Sequence, residues 1–149
     1  MDRFTKGFTA GIIGAIAMNI WDFLSFYVFR LSTDLYLDWA AILIYGQRPT
    51  TLFGTVFALA GQILFSGLMG IAVAYILTYI TSRHYLIKGA LIGFALNFLF
   101  YAIPIAYRMP VLSQNPAPTA FSHMVGSVLW GIVLVQVLHR LDDRPRAEA

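Results

Sequence analysis

The sequence predicts an all-α integral membrane four-helix bundle, two tandem helical hairpins plus an outer interfacial amphipathic helix within the first. Three observations predict it. Hydrophobic residues make up 59% of the 149 and charged residues only 11%, against roughly 25% charged in an ordinary soluble domain. The charges are bunched, and the stretches between them are long enough to cross a bilayer. Mean hydropathy is +0.73, the balance of a chain whose solvent is lipid. Residues 1–149 are one domain's worth of material and are read as a single transmembrane domain.

A hydrocarbon core of about 30 Å needs roughly 20 helical residues. Four stretches qualify: 7–29, 52–80, 86–107 and 119–138. The first begins like a secretion signal, with Arg3 and Lys6 ahead of an apolar run and small residues at Ala15 and Ala17. That run continues through Phe29, however, so a retained span is expected. The second stretch is over-long and should tilt or project beyond the bilayer. Pro104, near the end of the third, is tolerable where neighbours satisfy the freed carbonyl.

Basic residues give an orientation. Arg3, Lys6, Arg83, Lys88, Arg140, Arg144 and Arg146 fall on one side, against Arg30, Arg48 and Arg108 on the other. Both termini and the 82–87 turn are therefore expected in the cytoplasm. Tyr79 and Tyr85 inside, with Tyr27 and Tyr107 outside, fit aromatic belts at the two interfaces.

The first external connection carries a helix over about 34–45. Asp34, Asp38 and Tyr45 share one face, and Leu35, Trp39, Ile42 and Leu43 the other. Ser32 or Thr33 is the expected cap, with Gly46 and Pro49 ending it. Too short to span, it should lie on the outer interface or dock its apolar face on the bundle. The second connection, 108–118, holds Pro110, Pro116 and Pro118 and reads as an extended, helix-free link. A charged tail, 139–149, follows.

The hairpins read as copies of one another. The first and third spans both open Lys-Gly-x-x-x-Gly, at Lys6, Gly7 and Gly11 and at Lys88, Gly89 and Gly93. Along the same faces lie Ala15 then Asn19, and Asn97 directly. The second and fourth spans align at an offset of 61, where Gln62, Ser66, Leu68, Gly70 and Ile71 match His123, Ser127, Leu129, Gly131 and Ile132. Two spans per copy place any symmetry axis along the membrane normal. Gly7, Gly11, Gly89 and Gly93, facing Gly67, Gly70, Gly126 and Gly131, are expected to let backbones approach closely. Lipid offers no hydrophobic drive for helix association.

Asp22 is the most informative residue. An aspartate near a helix centre costs about 2.5–3.5 kcal/mol on insertion scales, so it should face the bundle and have a partner. His123 lies at comparable depth, with Asn19, Gln62 and Asn97 slightly deeper, which predicts a polar cluster in the outer half of the bundle. Two readings stand. The cluster fixes helix register through hydrogen bonds, or an ionisable Asp22/His123 pair serves a proton or cation pathway.

Other classes fare worse. The pI near 9.4 reflects single basic residues beside apolar runs, so nucleic acid is not expected as a partner. With no cysteine, disulfides and thiolate chemistry are excluded. No HExxH, phosphate loop or Gly-x-Ser-x-Gly occurs, so neither metal, cofactor nor catalysis is expected. Ser25, Ser66 or Ser127 with Asp22 and His123 would imitate a triad, but no spacing singles one out.

The two Lys-Gly-x-x-x-Gly openings, the segment of Leu37, Asp38, Trp39, Ala40 and Ala41 leading to Tyr45 and Gly46, and the stretch from His123 to Trp130 and Gly131 resemble the YqhR-type conserved membrane proteins of Gram-positive bacteria. The resemblance covers nearly the whole chain. It implies a four-helix fold in a bacterial cytoplasmic (inner) membrane and transfers no site residue. Gln62 stands where that group has a histidine. The expectation is a non-catalytic structural or accessory subunit that self-associates as a homo-oligomer or joins a larger membrane assembly, with lipid around it. The alternative is an oligomeric proton- or cation-linked transporter or channel built on Asp22 and His123.

Overall fold

The computed structural model describes residues 1–80, 83–109 and 112–142. Ser82 of the expected cytoplasmic turn, Pro110 of the second link, and the tail from 143 with Arg144 and Arg146 lie outside the described residues. Among the described residues the chain is helical throughout, with no strand. In chain order the helices are α1 (Arg3–Phe23), α2 (Tyr36–Tyr45), α3 (Leu52–Ile76), α4 (Tyr85–Ala106) and α5 (Ala117–Asp142). α1 runs into a π-helical turn, Leu24–Val28, and α3 into a 3₁₀ turn, Leu77–Tyr79. With those turns, α1, α3, α4 and α5 are each long and apolar enough to cross a membrane.

Local chemistry sets the helix ends. Asp2 caps α1 by accepting from the Thr5 N–H at 3.0 Å, and the Thr5 side chain, with that backbone bond, holds its carboxyl below the usual range. Thr51 caps α3 through the Gly54 N–H at 3.1 Å. Gly46 ends α2 at φ +83, the left-handed geometry that glycine adopts without strain. Three boundaries differ from the sequence reading. The start of α2 is set by Asp38, which accepts from the Leu35 N–H at 2.9 Å, and neither Ser32 nor Thr33 caps it. α5 begins at Ala117, so Pro118 sits in its first turn, where a missing N–H costs nothing. α5 also continues past His139 to Asp142, where Lys6 pairs with the Asp142 carboxylate at 2.6 Å and ties the start of α1 to the end of α5.

The spans form an open arc in the order α3, α1, α5, α4. Glycines make the contacts within each hairpin. A methyl group on Gly11 would come within 2.9 Å of the Gly67 Cα, and one on Gly93 within 2.8 Å of the Ser127 carbonyl carbon. Gly7 meets Gly70, and Gly89 meets Gly131. These pairs recur at fixed offsets, 82 between α1 and α4 and 61 between α3 and α5, and the Gly11/Ser66 contact recurs as Gly93/Ser127. The glycine stripes are thus occupied within one chain and are not free for a second copy. Gly126 departs from the expected pairing and instead faces Trp21, Tyr36 and Met18.

Two tryptophans join the hairpins. Trp21 of α1 donates to the Ser122 carbonyl of α5 at 3.0 Å. In the other direction Trp130 of α5 donates to the Gly11 carbonyl of α1 at 3.3 Å. A helical carbonyl has a second lone pair available for such a bond. α3 and α4 close no such interface, and the rings of Phe65 and Phe100 meet across the gap, centroids 5.8 Å apart.

α2 packs on α3 and lies over this gap, burying Leu37, Trp39 and Ala41. Of the two placements open to it, docking is what the fold adopts. Its faces are not divided as the sequence suggested: Asp34, just ahead of it, is buried, whereas Leu43 is 59% exposed.

Gly93→Leu should lower the unfolding free energy in mixed detergent micelles by about 1–3 kcal/mol, because the added bulk meets backbone that cannot yield. Leu91→Phe, on the exposed side of the same helix, should change it by no more than about 0.5 kcal/mol.

Candidate functional site: a buried polar network

The network begins where α1 loosens. The Phe29 N–H reaches back to the Leu24 carbonyl at 3.0 Å, one residue further than an α-helical bond. This wide turn carries the fully buried Ser25, whose hydroxyl meets that of Ser122 on α5. One turn earlier Asp22 points inward at 1% exposure.

The principal partner of Asp22 is a backbone group. Its Oδ2 accepts from the Tyr36 N–H at 2.7 Å. Tyr36 opens α2, so this donor is one of those a helix leaves unsatisfied at its start. With Asp38 taking the Leu35 N–H, two carboxyl groups cap the same helix end, one from within and one from α1. A carboxyl there also faces the positive end of the helix dipole. Burial pushes the Asp38 carboxyl above its ordinary range, opposed by its bond from Leu35 and by Arg48. Arg48 in turn pairs with Asp34.

His123, fully buried on α5, is satisfied at both ring nitrogens. Nε2 lies 3.1 Å from the Asp34 carbonyl oxygen, and a carbonyl only accepts, so Nε2 carries the proton. Nδ1 therefore accepts from the Tyr101 hydroxyl at 2.7 Å. This is a neutral imidazole with nothing left over. Its approach to Asp22 Oδ1, 3.6 Å, is beyond hydrogen-bonding distance, so the pair is close but not bonded. The Tyr36 ring stacks on the imidazole with centroids 4.3 Å apart. The Tyr36 hydroxyl donates to the His123 carbonyl and contacts the Ser127 hydroxyl at 2.7 Å. Burial lifts that phenol well above its ordinary pKa, so it stays protonated.

The residues expected to cluster fall into linked and separate parts. Asp22 and His123 come together around Tyr36. Asn97 joins them through its Oδ1, which accepts from the Ser127 hydroxyl at 3.3 Å. Asn19 and Gln62 form their own pair: Asn19 Nδ2 donates to Gln62 Oε1 at 3.0 Å and to the Ala15 carbonyl at 2.8 Å. This pair repeats in the second hairpin. Positions 19 and 62, moved by the same offsets of 82 and 61, become 101 and 123, the bonded Tyr101 and His123.

Tyr36, Tyr101 and the Asp34 carbonyl were not anticipated. Tyr101 was open to detection by extending the α1/α4 alignment to Asn19, whereas the backbone groups carry no sequence signal. The triad arrangement is not formed. Both imidazole nitrogens are engaged, and neither Ser25, Ser66 nor Ser127 bonds the ring. Among the described residues no group of three or more His, Cys, Asp or Glu side chains is placed to hold a metal ion.

Asp22→Asn keeps an acceptor for the Tyr36 N–H and should leave stability within about 1 kcal/mol. Asp22→Leu orphans that buried donor and should cost roughly 1–3 kcal/mol. The check is unfolding of both variants in detergent, with thiol labelling of a cysteine placed at Leu37 rising only in the second.

No known protein family, curated protein or solved structure matches this chain.

Proposed function

We propose that the chain is a non-catalytic subunit of a bacterial cytoplasmic membrane, a duplicated pair of hairpins that holds a docked outer helix and joins other membrane proteins, itself included. One observation carries this reading: the donors at the centre of the Asp22/His123 network are met by the protein itself, with Asp22 Oδ1 the one atom of the pair that accepts no hydrogen bond. Every donor on His123 and Tyr36 has a protein acceptor, and neither the cavity roofed by α2 nor that at the Lys6 end is lined by Asp22 or His123. A relay needs a group that exchanges protons with water at both ends. Here the pair's bonds go to backbone and tyrosine, which suits a clamp. The alternative, an oligomeric proton- or cation-linked pathway, has no such support.

Association draws on the least covered span. Leu91, Phe94, Phe98 and Leu99 of α4 are exposed, leaving an apolar face for a neighbouring helix or for acyl chains. Duplication is supported by the three contact pairs that recur at the same offsets. Cytoplasmic termini are supported by Arg3, Lys6 and Lys88 around one end cavity, the asymmetry expected of an inner face.

Purified protein in liposomes should give no proton or cation flux from pH 5 to 8, with Asp22→Asn indistinguishable from it. Native membranes solubilised at low detergent should yield the protein in a species larger than the monomer. Flux abolished by Asp22→Asn would establish the transport reading instead. Reporter fusions at either terminus should be active only as cytoplasmic reporters.

A further inference from the structure

At the Lys6 end of the bundle lies a cavity of about 490 Å³, within the range of ligand sites, roughly 300–1,000 Å³. Its walls are the first turns of α1 and α4, the 3₁₀ turn that follows α3, and the last turns of α5. Arg3, Thr78, His84, His139 and Asp142 among them are exposed, so the cavity reaches the surface at this end. Its depth follows from helix length. α5, at 26 residues, runs about 39 Å at 1.5 Å per residue. That exceeds a hydrocarbon core of ~30 Å and falls just inside the roughly 40–45 Å of the whole bilayer, so its last turn lies among lipid headgroups.

Charge decides what fits. Among the described residues, Arg3, Lys6 and Lys88 line the cavity against a single carboxylate, Asp142. Asp142 meets Lys6 at 2.6 Å. Lys6 and Lys88 are equivalent positions of the two hairpins, related by the offset of 82. Each stands in the first turn of its helix, so its charge adds to the positive end of the dipole instead of offsetting it. α4 has no acidic residue in that turn. Arg3 is steered over the end of α3 by the Ala74 carbonyl, which accepts from its Nη1 at 2.8 Å. A guanidinium carries five N–H donors, so this bond leaves most of the fork for an anion.

A guanidinium and two ammonium groups, brought from two helices, suit a phosphate, whose several oxygens accept from all of them. The rest of the wall indicates its source. Ile80, 41% exposed, and the half-buried Leu77 border the same cavity. A soluble phosphate would leave that apolar surface bare, whereas the glycerol esters of a lipid would cover it. Basic pockets between transmembrane helices at this level are suited to lipid headgroups. We propose that this cavity seats the phosphate headgroup of an anionic phospholipid, with Arg3, Lys6 and Lys88 around the phosphate and the glycerol esters against Leu77 and Ile80. Such a site needs only that the spans lie in a bilayer, whichever way the chain faces. It does not depend on the role of the Asp22 network.

The test is native mass spectrometry of the full chain in a mild detergent, titrated with dioleoyl phosphatidylglycerol. One lipid should bind well ahead of any other. Dioleoyl phosphatidylcholine, with the same chains and a compensating cation on its headgroup, should show no such preferred step. Lys6→Gln and Lys88→Gln should each weaken the first step about fivefold, the worth of one cation beside an anionic lipid. Arg140→Gln removes a charge from the same end of the bundle but outside the cavity, and should change that step by less than about twofold. Asp142→Asn, which releases Lys6, should strengthen it, a gain that damage to the fold could not produce. Free glycerol phosphate in millimolar excess should not displace the lipid. Equal binding of the two lipids, unchanged affinity in both lysine variants, or a loss in Arg140→Gln as large as in Lys6→Gln would each overturn the proposal. So would weaker binding by Asp142→Asn, or displacement by glycerol phosphate, which would make this a site for a soluble anion.

Discussion

The bond from the Tyr36 N–H to the Asp22 carboxyl is the constraint on which the half of the bundle around α2 rests. A helix that begins inside an apolar bundle presents donors that water cannot reach, and each must be met by the protein. α1 meets one of them with a side chain that would otherwise be expensive at that depth. Two costs offset each other at a single contact. Once α2 is pinned there, Tyr36 falls on the His123 ring, the Asp34 carbonyl reaches His123 Nε2, and Trp39 packs on Tyr101 with ring centroids 4.7 Å apart.

Polar bonds and close packing divide the work. Interhelical hydrogen bonds in membranes average only about 0.6 kcal/mol, so the network cannot be the main source of stability. The glycine contacts within each hairpin bring backbone against backbone and gather dispersion over long stretches. The polar bonds instead select one rotation and one register for helices that glycine faces alone would let slide. The reciprocal tryptophan bonds across α1 and α5 act in the same way at the junction of the hairpins.

The sequence was informative wherever the physics is local. Hydropathy marked four spans to within a few residues at most ends, since length and apolarity are properties of a stretch by itself. The Lys-Gly-x-x-x-Gly openings marked the close-packing faces, and a lone aspartate in an apolar run marked an inward-facing site. What could not be read was the identity of partners. Asp22 is held chiefly by a main-chain group, and every residue but proline has one, so no pattern distinguishes Tyr36 from its neighbours. The burial of Asp34 was hidden for the same reason, because its carbonyl serves His123 while its side chain meets Arg48. The π-helical turn that carries Ser25 leaves no mark in hydropathy.

The pairing of polar residues also bears on how the chain enters the bilayer. Asn19 finds Gln62 and Asp22 finds Tyr36, all within the first two spans and their connection. His123 finds Tyr101, and Asn97 finds Ser127, within the last two. Other bonds cross between the hairpins: His123 Nε2 donates to the Asp34 carbonyl at 3.1 Å, the Tyr36 hydroxyl donates to the His123 carbonyl, and Ser25 meets Ser122. Each half can therefore leave the insertion machinery with a first partner for Asn19 and Asp22, or for Asn97 and His123 Nδ1, supplied by its own residues, while His123 Nε2 is met only when the halves join. A ribosome still making the second half need not delay the first.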